Sequence, residues 1–115
     1  MGKAKRKPKK SIKFDKDKLR YDLVPVAPLE KIVSVLTFGA GKYDDRNWEN
    51  GFKWSRVYGA TQRHLNKWWG GEDLDKESRV THLAHAACCI LFLMEYEETH
   101  RELDDRVKPK RKVKK

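Results

Sequence analysis

Residues 83 to 96, LAHAACCILFLMEY, decide the fold of this chain. If this segment is helical, apolar side chains cover nearly every side of it, which is typical of a helix at the centre of a core. The sequence therefore predicts a buried helix over residues 78 to 98, with either Asp75 or Ser78 as its N-terminal cap. The charged residues that follow favour helix, so we expect this helix to fade into a basic tail.

Two more helices are predicted before this segment. The first should run from about residue 28 to 38, because Pro28 suits an initial helical position. Apolar residues then follow at the spacing of one buried face, at Leu29, Ile32, Val33 and Leu36. The glycines of GAG, residues 39 to 41, should loosen or end this helix.

The second helix should begin near Ser55, a good N-cap, and end at Gly70-Gly71. No pair of segments has the alternation of neighbouring strands. The fold class is therefore predicted to be all-α, a small bundle of about three to five helices around the helix of residues 78 to 98.

Charge divides the 115 residues into one domain and two arms. Residues 1 to 13 and 106 to 115 hold seven Lys or Arg each and almost nothing apolar, so we expect both to be disordered. The remaining 13 cations face all 17 acids, which makes residues 14 to 105 net −4 although the whole chain is +10. This middle part is the predicted helical domain.

The arms suggest two roles that the sequence does not separate. Clustered cations release counterions from a polyanion, so weak and non-specific nucleic-acid binding is one role, with Lys9, Lys10, Lys110 and Arg111 as representative contacts. The other role is that of a solubility or targeting arm.

No segment approaches the ~20 apolar residues that span a bilayer, and no apolar stretch of the signal-peptide kind follows the N-terminal charges. Cys88 and Cys89 are neighbours that are poorly placed to bond each other, so we interpret them as small core residues in a reducing cytoplasm. The predicted core is modest for a chain with 38% charged residues. A homo-oligomer that covers the apolar helix is therefore expected, and a monomer completed by its tryptophans is the alternative.

Polar residues collect directly before the apolar segment. His82 and His85 are three residues apart and share one helix face, and His64 lies near the end of the preceding helix. The hairpin between them carries four acids, Glu72, Asp73, Asp75 and Glu77. Imidazole and carboxylate together suit a transition metal, and carboxylates alone suit magnesium or manganese. Core histidines beside a solvated acidic cap would give the same pattern.

Several motifs resemble the N-terminal domain of the phage-associated dATP/dGTP diphosphohydrolases. They are GAGKYDDRNWENG at 39 to 51, RHLNKWWGGEDLDKES at 63 to 78, and HLAHAACCILFL at 82 to 93. The resemblance covers roughly residues 14 to 98 and leaves both arms outside. It implies hydrolysis of dATP and dGTP to monophosphates in phage nucleotide metabolism, in the host cytoplasm, and a likeness to the all-α, MazG-like nucleotide pyrophosphohydrolases.

The resemblance also implies roles for individual residues. Glu72, Asp75 and Glu77 would be catalytic and would hold a divalent cation, Mg²⁺ or Mn²⁺ with Co²⁺ as a further option. His82 and His85 would belong to the same metal site. The substrate would be bound by Lys42 and Arg63 at its phosphates and by Trp48 at its base, with Asn47 and His64 in the same motifs.

This sequence departs from the MazG-like pattern, in which an E-x-x-E pair on one helix precedes an E-x-x-D pair on another. Glu72 and Asp75 have the second spacing, but Glu95 and Glu98 come too late to be the first pair. Either the histidines replace part of the cage or the domain has another task. The alternative function is a non-enzymatic phage protein that binds nucleic acid or a partner through its arms.

Overall fold

The computed structural model describes residues 9 to 109 and shows three α-helices. These are α1 (Val26–Lys42), α2 (Trp54–Trp69) and α3 (His82–Thr99), and the predicted all-α class is confirmed. Short 3₁₀ turns lie at Tyr21–Leu23, Asn47–Asn50 and Arg101–Leu103. Over this range the β-type pairing is a single antiparallel bridge in the loop between α2 and α3. Much of the two predicted arms, residues 1 to 8 and 110 to 115, lies outside the described residues.

Helix α1 is longer than predicted at both ends. Pro28 lies in its first turn, where a missing N–H costs no hydrogen bond. The prediction that GAG would end the helix was wrong, because the helix runs through both glycines to Lys42. A glycine costs about 1 kcal/mol in a helix interior, and Lys42 offsets part of this cost. Its ammonium lies at the negative end of the helix dipole and 2.7 Å from Glu77.

Helix α2 ends at Gly70 as predicted, whereas the N-terminal cap of α3 differs from the predicted one. Helix α3 begins at His82 and is capped by Thr81, whose hydroxyl accepts the Leu83 N–H. Neither Asp75 nor Ser78 caps it, because the Ser78 N–H donates to Asp75 Oδ2 in a turn further upstream. The side chains expected to cap a helix instead bond each other beside the histidines.

The start of α2 also lacks the cap that the sequence predicted. The helix begins at Trp54, and Ser55 lies inside its first turn. The backbone N–H and the hydroxyl of Ser55 both donate to the Asp105 carboxylate. This contact fastens the segment after α3 to the beginning of α2.

The core is small and lies between α2 and the C-terminal half of α3. Its buried side chains are Trp54, Val57 and Tyr96, with Trp48 and Phe92 packed against them in a stacked pair 4.4 Å apart. Helix α1 has no buried residue. It forms a wall of the domain without contributing to the core.

Helix α3 is central, but it is not covered on all sides. Apolar side chains on its outer face are exposed, namely those of Leu83, Ile90, Leu91 and Met94. Along residues 9 to 109, every helix is too short or too polar to cross a membrane.

Candidate active site

Three histidines meet where the end of α2 faces the start of α3. His64 lies on α2, and His82 and His85 lie on the first turn of α3. Gly70 and Gly71 reverse the chain between the two helices, and Gly71 does so with a φ of 101° that favours glycine. The loop is closed by the His82 N–H, which donates to the Asp73 carbonyl. The reversal therefore brings imidazoles from two helices together.

His82 is the centre of this cluster and is fully buried. Its Nε2 lies 2.6 Å from Glu72 Oε2, and because a carboxylate only accepts, Nε2 carries the proton. Its Nδ1 lies 2.9 Å from Nδ1 of His64. The imidazole of His82 is thus fixed from both sides, with one nitrogen held by an acid and the other facing a second histidine.

His85 extends the cluster toward the loop. Its ring stacks on that of His64 at 4.6 Å, and its Nε2 lies 2.6 Å from Ser78 Oγ. Asp75 Oδ2 is 3.8 Å from the same nitrogen. Ser78 and Asp75 therefore position His85 from the loop side.

Burial disfavours the charged form of two of the three histidines. It lowers the pKa of His64 to about 4, with a further contribution from the neighbouring His85 and His82. Burial also lowers the pKa of His85. For Asp75 the burial works in the opposite direction, but hydrogen bonds from Ser78 outweigh it and hold the pKa below its usual value. The shifts thus favour neutral imidazoles at His64 and His85 beside an ionised Asp75 carboxylate.

One set of three side chains in residues 9 to 109 is placed to hold a metal ion. One ligand atom each from His64, Asp75 and His82 lie within 4.8 Å of one another. The three acids predicted to hold the cation do not meet at one point. Glu72 bonds His82, Glu77 pairs with Lys42 at 2.7 Å, and only Asp75 belongs to the set.

An open cleft of about 930 Å³ lies beside the cluster, between the C-terminal half of α1 and the hairpin. His64, Asp75, Glu77 and His85 line one part of it. Clefts of this size hold small molecules and cofactors. The imidazoles and carboxylates therefore face a space large enough for a nucleotide.

Aromatic side chains line another part of the cleft. Trp48, Phe52 and Phe92 all contribute to this wall. One face of Trp48 already packs on Phe92, and its backbone carbonyl accepts a hydrogen bond from the Tyr96 hydroxyl. Asn47 precedes it and also lines the cleft. The Trp48 wall is therefore fixed to α3.

Three cations line the cleft, and two of them were not among the predicted substrate-binding residues. They are Lys42, Arg46 and Arg56. Arg46 has a left-handed φ of 58° and pairs with Glu49, and Arg56 lies over the Phe52 ring. Arg63, predicted to contact phosphates, is not among the lining residues. Asp44 and Asp45 line the cleft as well, and the only sequence sign of this was their place in the polar KYDDRNW turn.

The family comparison follows this geometry. A profile of the family "dATP/dGTP diphosphohydrolase, N-terminal" matches residues 8 to 106. The chain belongs to this family. The match covers the three helices, the histidine cluster and the cleft, so the predicted family membership is confirmed.

One relative of this chain is a protein of Salmonella phage PMBT28 that is named dATP/dGTP diphosphohydrolase. It is 34% identical over 95 residues, which are 83% of this chain and 32% of the relative. The chain thus spans about a third of the length of the phage protein. No solved structure matches the chain.

Proposed function

We propose that this domain hydrolyses purine deoxynucleoside triphosphates in the cleft between α1 and the α2–α3 hairpin. The observation that carries the proposal is the cleft itself, which has cations, aromatic rings and the histidine cluster on its walls. The family membership and the name of the phage relative support the same substrate class. Release of a monophosphate is the outcome that the relative's name suggests.

The cations would bind the triphosphate. Lys42 and Arg56 both line the cleft, and a guanidinium can hold two phosphate oxygens at once. No carboxylate is paired with Arg56 among the described residues, so its charge is available to a ligand. Positioning and charge neutralisation supply much of the catalysis in phosphoryl transfer.

The aromatic wall would bind the base. Trp48 is held by Phe92 on one side and by the Tyr96 hydrogen bond to its carbonyl. Because the Trp48 wall is held in this way, a purine would stack against it without first ordering it, which lowers the entropic cost of binding. Asn47 is beside it and can offer both a donor and an acceptor to a base edge.

The cluster would serve the reacting phosphate and water. Asp75 and two imidazoles form a donor set that suits a divalent cation. When bound, such a cation neutralises phosphate charge and acidifies water. His85 is neutral because burial lowers its pKa, so it can accept a proton at Nε2, the atom near Ser78 and Asp75.

A nucleotide panel tests the proposal. The purified chain is incubated with each dNTP and rNTP in the presence of Mg²⁺, Mn²⁺ or Co²⁺, and products are separated by ion-exchange chromatography. We expect dATP and dGTP to be consumed faster than dCTP and dTTP. Equal rates for all bases, or no turnover with any metal, would contradict the proposal.

A pair of arginine variants locates the reaction in the cleft. Arg56→Gln removes a cation from the cleft wall and should raise KM for dGTP by about tenfold, as expected for the loss of a charged hydrogen bond. Arg63→Gln removes the same charge from α2 outside the cleft and should change KM by less than twofold. Equal effects of the two variants would place the phosphates elsewhere.

The arms support a second candidate function, because they hold 14 of the 27 cations. Lys9 and Lys10 are exposed, whereas Lys110 and Arg111 lie outside the described residues. If one arm engages duplex DNA, the log-log salt slope should approach about −6, at ~0.9 per neutralised phosphate. Deleting residues 1 to 13 and 106 to 115 should abolish this binding and leave dNTP hydrolysis intact.

The homo-oligomer stays a prediction. The exposed apolar side chains of α1 and α3, such as Leu29, Val33, Ile90 and Met94, give it a structural basis. Light scattering of the full chain should give the mass of at least a dimer. A monomer at micromolar concentration would mean that these faces stay open to water.

A further inference from the structure

We infer that His64, Asp75 and His82 form a binding site for a transition-metal ion such as Mn²⁺, Co²⁺ or Zn²⁺, with Glu72 as the partner that holds His82 in position. The inference extends the proposed function, on which it rests for the work that the ion would do in the cleft. Binding of the ion itself can be tested without any nucleotide.

The distances fit ligands around one ion. Nδ1 of His64 and Nδ1 of His82 face each other at 2.9 Å. Two imidazole nitrogens on one tetrahedral zinc, each about 2.0 to 2.1 Å from it, lie ~3.3 Å apart. An outward shift of a few tenths of an ångström would therefore admit the ion, and Asp75 offers a carboxylate oxygen within 4.8 Å of one ring nitrogen of each histidine.

The protonation of His82 also fits. Glu72 accepts from Nε2 of His82, which leaves the lone pair of Nδ1 pointing at His64. Histidine ligands of metals usually donate their other ring N–H to a carboxylate in this way, which fixes the ring and makes it a better donor. The full burial of His82 holds this orientation in the absence of any ion.

The donor set favours transition metals over magnesium. Magnesium prefers oxygen ligands in octahedral geometry, whereas two imidazoles with one carboxylate suit Mn²⁺, Co²⁺ or Zn²⁺. A carboxylate cage does not form here, because Glu77 is engaged by Lys42 and Glu72 by His82. Three protein ligands beside an open cleft leave coordination positions for water or phosphate.

The direct test is a titration of the full chain with Co²⁺ alone, followed by the visible absorption of the bound ion. We expect bands of nitrogen-ligated Co²⁺ with one ion per chain. Asp75→Asn keeps an acceptor for the Ser78 N–H and should weaken Co²⁺ binding by ~100-fold or more. Glu72→Gln should weaken it by about 10- to 100-fold, the usual effect of losing an outer partner.

Asp73→Asn is the matched control. It removes a carboxylate from the same loop, and the Asp73 carbonyl that accepts the His82 N–H is unchanged. This variant should bind Co²⁺ as the wild type does, and far-UV circular dichroism should show equal helix content in all three variants. Absence of Co²⁺ bands in the wild type, or equal affinity in the Asp75 and Asp73 variants, would overturn the site.

Failure of the metal site and failure of the proposed function give different results. Co²⁺ binding that depends on Asp75, without turnover of any dNTP, would support the site and refute the hydrolase. Turnover of dGTP with Mg²⁺ in a protein that shows no Co²⁺ bands would support the hydrolase and refute the site. The contact between His64 and His82 would then be a hydrogen bond between the two rings and nothing more.

Discussion

The two ends of α3 use histidine in opposite ways. At the N-terminal end, His82 and His85 join His64 beside an open cleft. At the C-terminal end, Nε2 of His100 lies 2.7 Å from the Glu49 carbonyl oxygen and its Nδ1 lies 2.7 Å from the Glu102 carboxylate. Because both partners only accept, the doubly protonated ring can donate to both, and this arrangement favours the charged form of His100.

The pKa shifts of these histidines separate the roles of the two ends. Burial lowers the pKa of His64 and His85 and keeps their lone pairs available, as a ligand or base requires. The hydrogen bond to Glu102, with a further contribution from the Glu49 carbonyl, raises the pKa of His100. His100 therefore fastens the loop that carries Trp48, whereas the histidines at the other end are free to act on a ligand.

Replacing one carboxylate at each end should give the largest contrast. If the proposed hydrolysis and metal site are right, Asp75→Asn should lower kcat/KM for dGTP by ~100-fold or more, because it removes a proposed ligand and the charge beside His85. Glu102→Gln removes the negative charge beside His100 and should change kcat/KM by less than twofold. Steady-state kinetics of both variants checks this, and full turnover in Asp75→Asn would remove the chemical basis of the site.

The second largest contrast is expected in the free energy of unfolding of variants at the two ends. His82→Asn leaves a cavity and breaks the bonds to Glu72 and His64, so it should lower the free energy of unfolding by about 2 to 4 kcal/mol. His100→Asn should cost clearly less, because this ring lies near the surface. Urea unfolding measures both changes. A larger loss in His100→Asn would show that the C-terminal end dominates the stability.

The contrast was only partly predictable from sequence. The three helices, the stop at Gly70-Gly71 and the nearness of His64 to His82 follow from local patterns that the sequence displays. The hydrogen-bond partners of the histidines do not follow from such patterns. Whether Glu72 or Asp75 forms a hydrogen bond with a histidine depends on how the loop reverses the chain. The sequence of such a turn shows no periodic pattern from which this could be predicted.

Contacts between residues far apart in the sequence were also not predictable. Nothing near Ser55 indicates that its hydroxyl bonds Asp105, and nothing near His100 indicates the Glu49 carbonyl as its partner. The place of Arg56 in the cleft wall and the absence of Arg63 from it have the same cause. Both lie on α2, and which side of α2 faces the cleft is fixed by its packing against α3, not by α2 itself.

A change of pH should change the stability contributions of His64 and His100 in opposite directions. The pKa of His64 is lowered to about 4, so its contribution to stability is present above pH ~6.5 and is lost as the pH falls toward 4. The pKa of His100 is raised, so its contribution is present below pH ~6.5 and is lost as the pH rises through the folded value. NMR titration of the ring protons should place His64 below, and His100 above, the ordinary histidine pKa. If both histidines titrated on the same side of the ordinary histidine pKa, the contrast between the two ends of α3 would be refuted.

The smallest effect is expected from Glu77→Gln. Glu77 lies near the N-terminal end of α3, but its partner is Lys42 and both side chains are largely exposed. Exposed ion pairs contribute little, so the unfolding midpoint in urea should stay within experimental error. A marked loss would show that α1 is held to the hairpin by this contact, and that charge alone, not the histidine cluster, stabilises that end.

The sequence separations of these contacts set an order of folding. The hydrogen bonds of the histidine cluster join residues 7 to 18 positions apart. At the other end, the bonds from Trp54 to His100, from Ser55 to Asp105 and from His100 to Glu49 span 46 to 51 positions. Short loops close sooner than long ones because less chain entropy is lost. The hairpin should therefore assemble its imidazoles early, before the chain ends are joined around Trp54. In a chain emerging from the ribosome, the histidine cluster would be in place first, and the Trp48 wall of the cleft would be locked only when Phe92, Tyr96 and His100 have followed.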